Sequence, residues 1–272
     1  MIKNEFEKLN EYIYKRDAIK YIDEYDAYLS GAALTLIIKK DETIFCANLG
    51  NVSAFLLSSD REHSYKYNII GLTLDDSDFT VDALLSQNIC SNKAVSYDLE
   101  NANKMTNHNL KENFYNSKEP DNNIYSNFDI KEELRRIYES GGEIRKLAGE
   151  EKSRIFVKGK YFPGLINTRS IGDQIGASIG IICTPHVSKI NFNDGIYYLV
   201  IATDGIINVL KAENIISIIE NSDVYCNIEY LIFIIVPIES ISNIIDAAKQ
   251  EYKKSSYCPD MTIILRTFNK YN

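Results

Sequence analysis

The residues best placed to do chemistry in this chain follow one apolar run: Leu199-Val200-Ile201-Ala202-Thr203 leads straight into Asp204-Gly205 and on to Ile206-Ile207-Asn208-Val209-Leu210. Four consecutive apolar residues describe a strand buried on both faces. At its end the backbone must turn sharply, which Gly205 permits. A carboxylate in that position either caps the helix that follows or holds a metal or phosphate at the mouth of the strand. A second charged pair, Arg169 and Asp173, lies in Thr168-Arg-Ser-Ile-Gly-Asp173. An Arg-x-x-Gly-Asp turn in a buried loop reads as structural, its charges used in ion pairs and backbone hydrogen bonds. His186, after Pro185, reads as a surface residue, and nothing beside Cys258 would lower its pKa, so it takes no role.

Composition narrows the classes. The chain has 272 residues, 45% of them hydrophobic, and a net charge of −8. That is enough chain for one large domain, and the acidic balance argues against a nucleic-acid partner. Five Cys at 46, 90, 183, 226 and 258 are odd in number and form no close pair, which predicts reduced, mostly buried thiols in an intracellular compartment, cytoplasmic or nuclear. The first residues, Met1-Ile-Lys-Asn-Glu-Phe-Glu7, carry no signal-peptide core. The longest apolar run, Tyr230 to Val236, stops at Pro237 and is too short to cross a bilayer, so no membrane partner is expected.

The elements that must position these residues can be sketched from patterning. Phe6, Leu9, Ile13, Ile19 and Ile22 among charged residues predict an amphipathic helix over 3–25. Ala32 to Ile38 and Thr43 to Leu49, joined by Lys40-Asp41-Glu42, predict an antiparallel hairpin, with a third strand from Val52 to Leu57 after Gly50-Asn51. Residues 84–127 are poor in apolar residues, with nine Asn between 101 and 127, and read as a loop inserted into a single domain spanning 1–272. Asp129 and Glu132 form a capping box for a helix that stops at Gly141-Gly142. Strands at 154–157, 196–203 and 262–265 and helices near 211–221 and 240–253 complete the set, with a turn at Asn193-Asp194-Gly195. Hairpin connections and late helices imply an α+β sandwich of mainly antiparallel sheets.

Six segments in order carry a resemblance. Ser30-Gly31-Ala32-Ala33-Leu34 resembles "GSTAV", and Ala47-Asn48-Leu49-Gly50-Asn51-Val52-Ser53-Ala54 resembles "ANVGDSRA". Leu72-Thr73-Leu74-Asp75-Asp76 resembles "LTxDH", with Arg136-Ile137 and Gly141-Gly142 further on. Arg154 to Asp173 is similar throughout to "RVFVKG…PGLAxSRSxGD". The run ending Ala202-Thr203-Asp204-Gly205-Ile206-Ile207-Asn208-Val209-Leu210 resembles "ASDGLWDVL", and Ser256-Tyr-Cys-Pro259-Asp260-Met261-Thr262-Ile263 stands where "SxDNxTV" would. On these the chain is identified as a member of the type 2C (PPM) metal-dependent Ser/Thr phosphatases. The resemblance implies two mainly antiparallel sheets packed face to face and flanked by helices. It also implies a chemistry in which paired Mg²⁺ or Mn²⁺ ions bind phosphate and activate a water.

Such a metal pair needs clustered carboxylates, because hard divalent ions favour anionic oxygen and a neutral amide gives up most of the Coulomb attraction. The family's acidic positions read poorly onto this chain. Its "DGHGG" loop finds no counterpart in the sequence, so the sandwich is expected to be incomplete at its N-terminal edge. Asn51, Asn208 and Pro259 stand where the family has Asp, which leaves Asp204 and, one residue out of register, Asp260 as vestigial metal positions. The expectation is a catalytically inactive domain that binds protein partners as a regulatory or scaffolding module, with no cofactor. The alternative is a working phosphatase that uses Mg²⁺ or Mn²⁺ and a segment outside this chain.

Overall fold

In the computed structural model the described residues are 1–17, 26–59, 67–74, 130–150, 152–191, 196–222, 238–253, 255 and 257–269. The Asn-rich stretch at 84–127, the turn at 193–195 and the apolar run at 230–236 lie outside them. The fold is α+β, as its patterning predicted. The strands are β1 (Gly31–Ala32), β2 (Leu34–Lys40), β3 (Thr43–Leu49), β4 (Ser53–Ser59), β5 (Tyr67–Gly71), β6 (Gly142–Lys146), β7 (Ser153–Val157), β8 (Pro163–Leu165), β9 (Ile171–Gly172), β10 (His186–Asn191), β11 (Ile196–Ala202) and β12 (Ile263–Asn269). The helices are α1 (Ile2–Asp17), α2 (Ile130–Glu139), α3 (Gln174–Ser178), α4 (Asp204–Ile207), α5 (Ala212–Ser222) and α6 (Ile238–Tyr252).

Two antiparallel sheets make the centre, one ordered β10-β3-β2 and the other β12-β11-β4-β5. Their shared layer contains Ile44 and Cys46 of β3, Ala54 and Leu56 of β4, Ile190 of β10, and Tyr197 and Leu199 of β11. Alternate residues of β4 and β11 point the other way. Phe55, Leu57, Tyr198 and Val200 pack with Ile206 of α4, Ile215 and Ile219 of α5, and Ile244 and Ala248 of α6. This is why both strands read as unbroken apolar runs: each is central in its sheet and has a packed layer on either face.

On the far side of the first sheet α1 seats Phe6 against Ala47, Leu49 and Ile171. The inward face of α1 is Ile2, Phe6, Asn10 and Ile13, whereas Leu9, placed on the apolar stripe by sequence, is exposed. The helix ends at Asp17 in the described residues, and Ile19 and Ile22 lie beyond them. A third, smaller sheet, ordered β6-β7-β8, packs Ile144 and Ile155 on Leu134 and Ile137 of α2.

The β2–β3 hairpin formed as expected, with Leu34 opposite Leu49 and Lys40 opposite Thr43. Its two-residue turn uses Asp41 at a φ of 51°, a left-handed conformation that Asp tolerates better than most residues. His186 is half-buried at the start of β10, a strand that patterning did not reveal.

Candidate functional site

The register of the second sheet builds the site. β4 runs antiparallel to β11 with Ser53 opposite Ala202, and β12 runs antiparallel to β11 with Ile263 opposite Ala202. Continued past the last paired residues, the first alignment sets Asn51 against Asp204 and the second sets Asp260 against Gly205. The side chains follow: the Asn51 amide Nδ2 donates to Asp204 Oδ2 at 3.3 Å. Gly50, at a φ of 85°, makes the turn that delivers Asn51, and a Cβ there would lie 2.4 Å from the Ala33 methyl.

Asp204 is half-buried and opens α4 as its first residue; the cap position belongs to Thr203, whose hydroxyl makes no capping bond. Asp204 therefore does not serve as a helix cap. Gly205 is fixed by a close approach, since a Cβ on it would lie 2.3 Å from the Asp260 carbonyl oxygen. The chain at Pro259-Asp260 thus meets α4 through its backbone, and the Asp260 side chain is exposed, as is Asn208. Tyr252, at the end of α6, faces the same corner: burial pushes its hydroxyl pKa up, and the Asp204 charge pushes it further in the same direction. No sequence signal links a Tyr on the last helix to Asp204, because the packing of α6 alone brings them near.

Arg169 and Asp173 are held in the fold apart from Asp204. Arg169 grips Glu133 of α2 through Nη2 at 2.5 Å and Nε at 3.1 Å, and donates from Nη1 to the Thr184 carbonyl. Arg136 grips the same carboxylate at 2.9 and 2.7 Å and donates from Nε to Gly180 O and from Nη2 to Thr168 O. Burial pushes the Glu133 carboxyl up, but the two guanidinium groups outweigh it and hold its pKa at about 2. The loop 168–184 is thereby tied to α2, which bears out the structural reading of Arg169. Asp173 sits at a φ of 50°, and its carboxylate fills the space where a Cβ on Gly31 would go. Burial pushes its pKa up. The preceding residue is clamped by α1, where Asn10 Oδ1 accepts from Gly172 N at 2.8 Å and the Tyr14 hydroxyl donates to Gly172 O at 2.9 Å.

Among the thiols, burial pushes Cys46 up to about 12, consistent with an inert core residue, while Cys183 is partly buried and Cys258 is exposed. No helix among the described residues is long and apolar enough to cross a membrane.

The sequence model of the family described as "Protein phosphatase 2C" matches residues 127–226, the stretch that runs from α2 through α5 and contains Glu133, Arg169 and Asp204. Over those residues the chain is similar to protein phosphatase 2C. A probable protein phosphatase 2C 35 of Arabidopsis thaliana is 23% identical over 217 residues, covering 80% of this chain and 51% of the relative. A probable protein phosphatase 2C 12 of rice is 35% identical over 91 residues, or 33% of this chain and 23% of the relative. The chain spans about half the length, or less, of these curated relatives. The crystal structure of a serine-threonine phosphatase 2C from Toxoplasma gondii superimposes with a TM-score of 0.56 at 13% identity, covering 98% of this chain and 63% of that one. At that identity the likeness is one of fold, and it agrees with the phosphatase 2C sandwich of two antiparallel sheets flanked by helices. In this fold the motif ends gather as the register dictates, with Asn51 and Asp204 in contact and the Pro259-Asp260 backbone beside them.

Proposed function

We propose that this phosphatase 2C-type domain is catalytically inactive and acts as a protein-binding, regulatory module. One observation carries the reading: at the corner where the sheet ends meet, Asp204 receives the Asn51 amide, a hydrogen-bond donor, on a carboxylate oxygen. The family works with Mg²⁺ or Mn²⁺, and two such ions need several anionic oxygens converging at about 2 Å from each metal. Here Asn51 offers its NH₂, Asn208 is a neutral amide on an exposed helix end, and Pro259 has no side-chain donor. Asp260 turns its carbonyl toward Gly205 and leaves its side chain in solvent. This donor set does not fit a two-ion centre.

A Mn²⁺-dependent assay on an aryl phosphate tests the reading directly, paired with isothermal titration of Mn²⁺ into the chain. The expected results are no release above a no-protein control and no pair of tight sites. Activity that Asp204→Ala abolishes would overturn it.

A further inference from the structure

Asp173 is a buried carboxylate that the ion pairs of the fold leave out. It is 5% exposed, and among the described residues no Lys, Arg or His lies within ion-pair distance of it. Its backbone cannot swing it out to water. The Asp173 N–H donates to Ser30 O at 2.8 Å, and the next two amides, of Gln174 and Ile175, donate to Ala27 O and Tyr28 O. The residue before it is Gly172, which Asn10 and Tyr14 of α1 hold by its N–H and its carbonyl. A φ of 50° persists in a residue other than glycine only where the surroundings impose it. An unpaired carboxylate placed so is costly while charged and far less so once protonated. Burial accordingly pushes the Asp173 pKa up, and the nearby Ser170 hydroxyl opposes only part of that rise. Ser170 Oγ is itself buried and meets no partner in hydrogen-bonding geometry among the described residues, so a protonated Asp173 has an acceptor beside it.

The helix α1 is the element that meets this carboxyl. Tyr14 borders both the clamp and Asp173: burial pushes its hydroxyl pKa up, and Cys183 and the Asp173 carboxylate push it further. The other titratable groups on the surrounding elements bring Asp173 no positive charge. Glu7 and Glu11 lie on α1, Glu7 accepting from Thr184 Oγ1 at 3.5 Å and Glu11 paired with Lys15 at 3.5 Å. Asp26 precedes β1, and its carboxylate accepts from Tyr28 N. Burial pushes the Cys183 thiol up, and the charges of Glu7 and Glu11 add to that.

We propose that the junction of α1 with Gly172-Asp173 is a proton-controlled latch: protonated Asp173 seats the helix, and ionised Asp173 loosens it. Ionisation calls for water at a carboxyl that α1 helps to cover, and lifting α1 admits that water. The sign follows from the direction of the shift. A carboxyl raised in the docked state stabilises docking fully below its ordinary value of 3.8, and that contribution is lost as pH rises through the raised value. What the latch covers is apolar: α1 lies on Ala47 and Leu49 of β3 and Ile171 of β9, beside Leu34 and Val187. Loosening it bares the outer face of the first sheet. The latch operates whether or not the domain turns over phosphate, and the phosphatase assay does not bear on it.

Asp173→Asn keeps the shape of the residue, tolerates the left-handed conformation and mimics the protonated form. Amide hydrogen exchange of α1 is compared in the full chain and in this variant from about pH 7.5 down to about pH 4.5, a range in which the other acids titrate alike in both. At the upper end the variant is expected to protect α1 at least about threefold better than the parent, with the gap closing as pH falls. A gap that does not change with pH, a parent better protected than the variant at neutral pH, or an equal change in α5 and α6 would overturn the proposal. A carboxyl-carbon NMR titration of the parent keeps the test open if the variant does not fold. The Asp173 midpoint is expected above 3.8 and should move down toward it in Tyr14→Phe, which frees the Gly172 carbonyl from the clamp. An Asp173 that titrates at or below 3.8 in the parent, or a midpoint that Tyr14→Phe leaves in place, would overturn it as well.

Discussion

At Asp204 a single hydrogen bond decides what the corner can do. The Asn51 amide donates to its carboxylate at 3.3 Å, so an Asp at position 51 would place two like charges at about that distance. Unit charges 4 Å apart repel by about 1 kcal/mol even in water. Asn51→Asp is therefore expected to lower stability by about 1 kcal/mol at pH 7. Added Mn²⁺ should raise the melting temperature of this variant and leave the parent unchanged, because a cation that binds only the folded form stabilises by mass action. Thermal scans with and without Mn²⁺ check both statements, and a parent chain that Mn²⁺ stabilises strongly would contradict them.

Between elements, the most buried ion pair among the described residues is Glu133 of α2 held by Arg136 and by Arg169 of the 168–184 loop. The Glu133 side chain is only 5% exposed, so removing it strands two guanidinium groups. Glu133→Gln is expected to cost about 3–5 kcal/mol at neutral pH, the range for breaking a buried ion pair from one side. The sign of the pH effect follows from the depressed pKa. Held at about 2 in the fold against an ordinary value of 4.5, this carboxylate stabilises fully above pH 4.5. That contribution fades as pH falls toward 2. Urea midpoints between pH 5 and 2 should drop in the parent and fall less steeply in Glu133→Gln. Parallel slopes would mean that Glu133 titrates alike in both states.

On the scale of the whole molecule the layers run α1, first sheet, second sheet, then α4, α5 and α6. The outer helix α1 is held by one large side chain, Phe6, together with the polar clamp of Asn10 and Tyr14 on Gly172. Because Phe6 is almost fully buried against Ala47, Leu49 and Ile171, Phe6→Ala should leave a cavity that the rigid sheet cannot close. A loss of about 3 kcal/mol or more is expected by chemical denaturation. A loss below about 1 kcal/mol would show that α1 is a peripheral attachment and not a layer of the sandwich.

The sequence by itself determined the elements whose patterns are local. β3, β4 and β11 are runs of apolar residues bounded by Gly, Asn or Asp, and α2 has a capping signal and a glycine stop, so all four were legible. So was the order of the family motifs, and with it Asp204. What the tertiary structure alone decided is which ends meet. Asn51, Gly205 and Asp260 are far apart in the chain, and only the antiparallel registers of β4 and β12 on β11 set them side by side. The inward face of α1 was misread at Leu9 because a polar residue, Asn10, is buried there by its bond to the Gly172 amide, and hydropathy does not register that bond. β10 stayed hidden because Ser188 and Lys189 break its apolar pattern; it forms because β3 offers an open edge across which Lys189 lies over the Phe45 ring. Local pattern fixes which residues become strand or helix, while long-range pairing, whose energy depends on partners remote in the chain, fixes where their polar ends converge.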